Sequence, residues 1–344
     1  MIDIKSMNEA ELSALLAQWG EARFRAGQIF RWLAGGARRF DEMTNLSKPL
    51  REKLSAHCVL NNAEVVRRQV SRLDGTVKYL WRFSDGSCVE SVFMQYKHGN
   101  TICISTQVGC RMGCAFCAST LGGLRRNLTP GEMLEQVLAA QLDTGMRVSN
   151  IVLMGTGEPL DNYENVLAFL RLVSAEHGLN IGMRHISLST CGICDKIKAL
   201  ADENLQITLS ISLHAPDDAT RSEIMPINRK FGVAQLIEAC RYYFAKTSRR
   251  ISFEYTMIHG VSDTEDCARN LAKLLSGFPC HVNLIPLNRV EERTLAPSSR
   301  AEIDRFSDWL TRAGLCVTVR RSLGADIDAA CGQLRRKQLN RDEF

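Results

Sequence analysis

Asn150-Ile-Val-Leu-Met154-Gly155-Thr156-Gly157-Glu158-Pro159 is an apolar run that ends on a glycine turn, and residues 163–176 follow it with helical spacing of apolar side chains. A strand that passes through a turn into a helix is the unit of an α/β fold. The same order recurs along the chain. Further strands are expected at 185–189, 207–213, 251–257, 282–286 and 316–320, and helices at 131–145 and 233–246. Repeated β–α order predicts a parallel sheet with helices outside. Six or so such units predict a partial TIM-like (β/α)6 barrel, whose functional groups sit at the C-terminal ends of the strands.

Upstream the period changes. Asp74–Gly75 and Asp85–Gly86 are turn signals between short β-like runs at 77–83 and 88–94, which read as connecting β-hairpins. A strand expected at 101–107 runs directly into a cysteine cluster. Residues 8–57 read as helical: Leu12, Leu15, Leu16 and Trp19 share one spacing, and Phe24, Ile29, Phe30 and Leu33 another. Arg23, Arg25, Arg31, Arg38 and Arg39 lie among them, as a solvated face or as contacts to RNA phosphate. Four segments are expected: a helical accessory domain at 1–60, a β connecting segment at 61–95, the core barrel at 96–324, and a C-terminal segment with a basic tail at 325–344.

The chain has 344 residues, 45% of them hydrophobic and 24% charged, with a net charge of +5. That composition supports a sizeable core and permits a nucleic-acid partner without requiring one. Met1 to Met7 carries Asp3 and Lys5, with no apolar run behind them to act as a signal peptide. No stretch approaches the roughly 20 apolar residues of a membrane span. A cytoplasmic chain with no membrane partner is therefore expected, and a monomer, since nothing suggests an obligate oligomer. In that compartment 13 cysteines point to metal or catalysis before disulfide staples.

Gly109-Cys110-Arg-Met-Gly-Cys114-Ala-Phe-Cys117 has the spacing C-x3-C-x2-C directly after a strand. Structural zinc takes four protein ligands, and no fourth Cys or His lies nearby. Three thiolates can hold three irons of a cubane and leave the fourth open to a small molecule, whereas ferredoxin arrangements supply four. Other polar groups fall at strand ends: Gly157 and Glu158, Ser189, then Ser212-Leu213-His214, and Asn288. Each taken singly also fits a cap or a turn former. Cys331, among small residues in Asp326-Ile-Asp328-Ala-Ala-Cys331-Gly-Gln-Leu334, and Cys103 read alone as inert packing. Glu90 interrupts an apolar run and read alone faces solvent. Cys191 and Cys194 form an extra C-x2-C pair with no partner pair, and read as packing.

The cysteine triplet, with Phe116 before its third member, resembles the signature of the radical S-adenosylmethionine (SAM) superfamily. In that superfamily a [4Fe–4S] cluster on three cysteines binds SAM at its open iron and splits it to a 5′-deoxyadenosyl radical. Taken with Cys103 to Cys110, Gly157-Glu158-Pro159, Ser212-Leu213-His214, Met225-Pro226-Ile227-Asn228, Asn283 to Pro286 and Asp326 to Leu334, the chain resembles the RlmN/Cfr family of RNA methyltransferases over essentially its whole length.

The resemblance implies a radical SAM barrel and methylation of an unreactive adenine carbon. It also implies specific roles. Cys110, Cys114 and Cys117 would hold the cluster. Gly157, Glu158, Ser189, Ser212, Leu213, His214 and Asn288 would bind SAM, of which two are consumed per turnover. Cys331 would take a methyl group from the first SAM. The radical from the second would convert that methyl to a methylene radical that adds to the base. Glu90 would remove the ring proton. Cys103 would attack Cys331, form a transient disulfide and release the product, and an external reductant would reset both thiols. One branch of the family makes 2-methyladenosine in 23S rRNA and tRNA, the other 8-methyladenosine in 23S rRNA. Ala118 to Asn127 looks more like the first. Thr156 stands where the family often has methionine. The rival readings are a radical SAM enzyme acting on a small molecule or peptide, and a non-enzymatic iron–sulfur or zinc RNA-binding protein.

Overall fold

The computed structural model describes residues 1–290, 292–321, 323–327 and 334. Three helices open the chain: α1 (Glu9–Gln18), α2 (Phe24–Ala34) and α3 (Lys48–His57). Asn8 starts α1 with a capping box, its side chain accepting from the Ala10 and Glu11 amides while the Glu11 carboxylate accepts from the Asn8 amide. Two short parallel strands, β1 (Ile2–Asp3) and β2 (Cys58–Val59), tie the ends of this segment together. Leu12, Leu16, Ile29, Leu33, Leu50 and Leu54 meet in a separate small core.

The antiparallel strands β3 (Glu64–Val70), β4 (Val77–Arg82) and β5 (Cys88–Met94) follow. Strand β6 (Asn100–Cys103) pairs antiparallel with β5 on one side and parallel with β9 (Val148–Leu153) on the other. The hairpins therefore extend the barrel sheet. Between β6 and β9, β7 (Gln107–Gly109) and β8 (Leu124–Asn127) make a small hairpin around the cysteines. Helix α4 (Pro130–Thr144) then starts on a Thr129/Glu132 capping box and stops at Gly145 in the left-handed region.

Alternation continues through α5 (Tyr163–Ser174), β10 (Ile186–Thr190), α6 (Cys194–Asp202), β11 (Thr208–Ser212), α7 (Asp218–Ile224), α8 (Val233–Thr247), β12 (Ile251–Met257), α9 (Glu265–Leu275), β13 (Cys280–Pro286), α10 (Arg300–Arg312) and β14 (Val317–Val319). The ten-stranded sheet runs β14-β13-β12-β11-β10-β9-β6-β5-β4-β3. From β6 to β14 its neighbours are parallel, so six crossovers build an open, partial (β/α)6 barrel as expected. Among the described residues no helix is long and apolar enough to cross a membrane.

The strand expected at 101–107 is broken in two. Ile104 still donates to the Val152 carbonyl, but Thr106 and Gln107 both donate to Thr156 in the glycine loop. Buried Gln136 on α4 accepts from the Ser105 amide (2.9 Å) and donates to the Ser105 carbonyl (2.9 Å), which takes the bend out of the ladder. The bend turns the chain toward the cysteines.

A buried ion pair docks the N-terminal segment on α4. Lys5 Nζ lies 2.5 Å from Glu135 Oε2, with side chains 0% and 2% exposed. Glu135 Oε1 also accepts from Arg38 Nη1 and the Ala63 amide, each at 3.1 Å. Removing one partner of such a pair strands a buried charge, at about 3–5 kcal/mol. Glu135→Ala is expected to lose that much stability in chemical denaturation and to release residues 1–60 to protease first. An Ala variant as resistant as wild type would assign the docking to apolar contact.

Candidate active site

A cavity opens at the C-terminal ends of the parallel strands. The cysteine loop forms one wall and the loop after β9 another. Cys110, Cys114, Cys117, Gly157, Glu158, Ser189, Ser212, His214 and Asn288 all line it. Periodicity and strand-end position thus bring nearly the whole expected cofactor set into one place.

Local chemistry fixes the cysteine loop. Gly109 has φ +84°, and the Cys110 amide donates to the Gly123 carbonyl at 3.0 Å, closing the loop against β8. The Cys117 amide donates to the Cys114 carbonyl, and Thr120 Oγ1 to the Cys117 carbonyl at 2.9 Å. The Ala115 amide donates to Ile224 at 2.9 Å, anchoring the loop on the end of α7. Burial pushes the Cys110 thiol up to about 12 and raises Cys114 too. Such thiols stay protonated until a metal displaces the protons. Three thiols of one loop border the same cavity, a set that can hold three irons of a cubane and leave the fourth open. The donor set fits a multi-iron group.

At Gly157 φ is +115°, and a Cβ would stand 2.7–2.8 Å from Gln107 and Thr106. A larger residue is excluded where the loop packs on the β6–β7 bend. Burial raises the Glu158 carboxyl, against hydrogen bonds that lower it. Its Oε1 accepts from the Leu160 amide (3.0 Å) and its Oε2 from the Cys191 amide (2.7 Å). Glu158 thus clamps the end of β10 to the glycine loop. Ser189 and Ser212 sit side by side with their hydroxyls 3.4 Å apart.

His214, at φ +59°, accepts at Nδ1 from the Thr256 amide at 3.0 Å. An amide only donates, so Nδ1 carries the lone pair and the neutral ring holds its proton on Nε2. Phe116 meets the ring edge-on at 4.8 Å between centroids. Burial drives the His214 pKa down to about 3, from 6.5. Between those values the unfolded chain takes up a proton that the native state refuses. Stability is expected to be flat above pH 6.5 and to fall as pH drops below it, by ~2 kcal/mol at pH 5. Denaturation of the metal-free protein at pH 7, 6 and 5 checks this, with His214→Gln losing that part of the slope.

Leu213 contributes its backbone: the side chain is in the core, 0% exposed, and its amide donates to the Glu254 carbonyl. Glu90 and Cys103 do not line the cavity. Cys103 pairs with Val92 across β5 and β6, so it shares a sheet face with Glu90 two residues away. Glu90 is buried with Oε2 2.8 Å from Lys78 Nζ, so it does not face solvent as a single-residue reading suggests. Cys331 and Asp328 lie outside the described residues. The chain leading to them is held by the β3–β4 turn: Asp326 accepts from Ser71 Oγ (2.6 Å) and the Arg72 amide (2.8 Å), and Asp74 from the Gly324 amide (2.8 Å). Cys194 donates to the Gly192 carbonyl, while Cys191 borders the cavity. Glu254 and Thr256, strand residues of types that carry no motif in the sequence, also line it, as does Arg320.

Residues 104–272 match the radical SAM superfamily, and residues 2–60 match the N-terminal domain of ribosomal RNA large subunit methyltransferases. The chain is 53% identical over 338 residues to a probable dual-specificity RNA methyltransferase RlmN of Alkaliphilus oremlandii, covering 98% of each. It is 52% identical over 339 residues to a protein of the same description from Clostridium tetani, covering 98% of this chain and 97% of the other. A crystal structure of a radical SAM methyltransferase from Sphaerobacter thermophilus superposes with a TM-score of 0.93 at 44% identity, over 97% of this chain and 99% of that one. Near-complete coverage in sequence and in structure, around a cavity walled by three cysteines, places this chain in the RlmN family of radical SAM proteins.

Proposed function

We propose that this protein methylates carbon 2 of an adenosine in 23S rRNA and tRNA, through a methyl group carried on Cys331. The reading rests above all on full-length similarity to proteins described as dual-specificity RNA methyltransferases. The choice of carbon 2 over carbon 8 rests on the resemblance of Ala118 to Asn127 to the dual-specificity branch.

Cys110, Cys114 and Cys117 would hold a [4Fe–4S] cluster, with Gly157, Ser189, Ser212, His214 and Asn288 around SAM. Together the two supply, when bound, a carbon radical and a methyl group, at a cost of two SAM per turnover. Every other task belongs to the chain. Three sulfurs would serve three irons of such a cluster, with the fourth left for SAM. Neutral His214 offers an Nε2–H donor without adding a charge, and Glu158 keeps the glycine loop in register.

Cys331 as a thiolate accepts the methyl on sulfur and becomes the carrier of the new carbon. A ring C–H carbon is not a nucleophile, which is why the carrier is needed. Glu90 takes the ring proton, with Lys78 fixing its carboxylate. Cys103 then attacks the Cys331 sulfur: the S–S bond forms, the S–C bond breaks, and the released carbon takes a proton to complete the methyl group of the freed base. An external reductant restores both thiols. The target base must leave its stack or lie in a loop to reach the cavity. We place the enzyme in the cytoplasm as a monomer.

The test is a product analysis. The protein, loaded with its cluster, is expressed in a host lacking the endogenous enzyme, and 23S rRNA and tRNA are digested separately for mass spectrometry against methyladenosine standards. 2-Methyladenosine in both pools is expected. 8-Methyladenosine would keep the chemistry and move the target carbon. Neither product, from protein that cleaves SAM, would point to a small-molecule or peptide substrate.

A further inference from the structure

Among the described residues three cationic side chains are fully buried: Lys5, Lys78 and Arg221. Lys5 faces Glu135 and Lys78 faces Glu90, each within 2.8 Å. Arg221, 0% exposed on α7, spends its donors on neutral acceptors. Nε donates to the Leu213 carbonyl (3.0 Å), Nη1 to Asn228 Oδ1 (2.9 Å), and Nη2 to the Cys191 (2.7 Å) and Ser212 (3.1 Å) carbonyls. Among the described residues no carboxylate pairs with it. Asp218, on the same helix, is engaged by the Val233 amide and Asn228 Nδ2 instead. A guanidinium cannot shed its proton to escape burial, and a buried charge without an opposite one is costly.

The opposite charge has an evident source. Cys114 packs with Cys191, Ile224 and Met225 in one buried cluster. The Ala115 amide bonds the last turn of the helix that carries Arg221, and Arg221 Nη2 donates to the carbonyl of Cys191, which packs with Cys114. A cubane held by three thiolates is net negative when oxidised and more negative by one charge when reduced. A fixed buried cation beside it favours the reduced form.

We propose that Arg221 is the buried countercharge of the iron–sulfur centre and raises its reduction potential. It is a positioning residue that also straps the ends of β10 and β11 together, and its action rests on the reading of Cys110, Cys114 and Cys117 as cluster ligands. The step it biases is the gain of one electron by the cubane from an external low-potential one-electron donor, with no proton transferred.

The experiment uses reconstituted full-length wild type, Arg221→Met and Arg221→Lys, each assayed for iron and sulfide. The reduced cluster is then quantified by electron paramagnetic resonance at a fixed ambient potential, without SAM. Arg221→Met is expected to lower the reduced-to-oxidised ratio about tenfold, equivalent to ~59 mV for one electron. Arg221→Lys keeps the charge and is expected to stay within about twofold of wild type, while melting at a lower temperature because the carbonyl fork is lost. A loaded Met variant with the wild-type ratio overturns the proposal. So does a Lys variant that falls as far as Met, since hydrogen bonding would then be the cause. If the Met variant does not load, Arg221→Gln makes the same comparison. Wild type that binds no iron would instead end the cysteine reading itself, a separate failure.

Discussion

Cys103→Ala is expected to stop after at most one turnover, with the protein covalently joined to its RNA. In the proposed sequence the carbon carried by Cys331 bonds to the base while still attached to sulfur, and a second thiol must attack that sulfur to free the product. Alanine has nothing to attack with. Cys331→Ala should form no adduct, since the carrier is gone, and the double variant should behave like Cys331→Ala because the carrier acts first. Denaturing gels and intact-mass measurement on RNA-treated protein separate the three. The structure is compatible with this division of labour. Cys103 is buried on β6 and shares a sheet face with Glu90. The chain leading toward Cys331 is pinned through Asp326 and Gly324 to the turn that joins β3 and β4. Clean multiple turnover by Cys103→Ala would remove it from the mechanism.

The barrel was legible because buried parallel strands announce themselves as apolar runs between helical patterns. The expected strand at 251–257 coincides with β12, and that at 88–94 with β5. The break between β6 and β7 was not legible. Residues 101–107 are β-like throughout, and the bend is imposed by Gln136, about thirty residues away on a helix. The cavity's glycines and strand-end polar groups could be found because they are tied to a motif or to a fixed place in the fold. Arg221 could not. In Asp217-Asp218-Ala-Thr-Arg221-Ser-Glu223 an arginine among charged residues reads as a solvated helix face, and only its four bonds to neutral acceptors show otherwise. Lys78 is similar: alternation on β4 assigns it no partner, whereas the sheet register sets it opposite Val92 and within reach of Glu90.

Gly109→Ala is expected to leave the barrel folded and strip the protein of iron. At φ +84° a Cβ on residue 109 would stand 1.9 Å from the Gly123 carbonyl oxygen. No atom pair tolerates that distance, and the obstacle is backbone, so no rotamer change relieves it. Nor is the Gly123 carbonyl free to retreat, because it accepts the Cys110 amide at 3.0 Å and sits beside the β7–β8 pairing. The left-handed conformation costs an alanine roughly 1–2 kcal/mol, and overpacking adds about 1–3 kcal/mol. Together they are enough to separate β7 from β8 locally, yet the ten-stranded sheet does not include that hairpin. Circular dichroism should therefore stay native. Cys110 follows residue 109 directly, so any shift there moves the first sulfur relative to Cys114 and Cys117. Gly122→Ala is the matched control, with no atom within 4 Å of its Cβ, and should bind iron as wild type does. Full iron in Gly109→Ala would mean that the three sulfurs are positioned by the Ala115–Ile224 anchor and Thr120, and that the β7–β8 hairpin merely follows the loop it encloses.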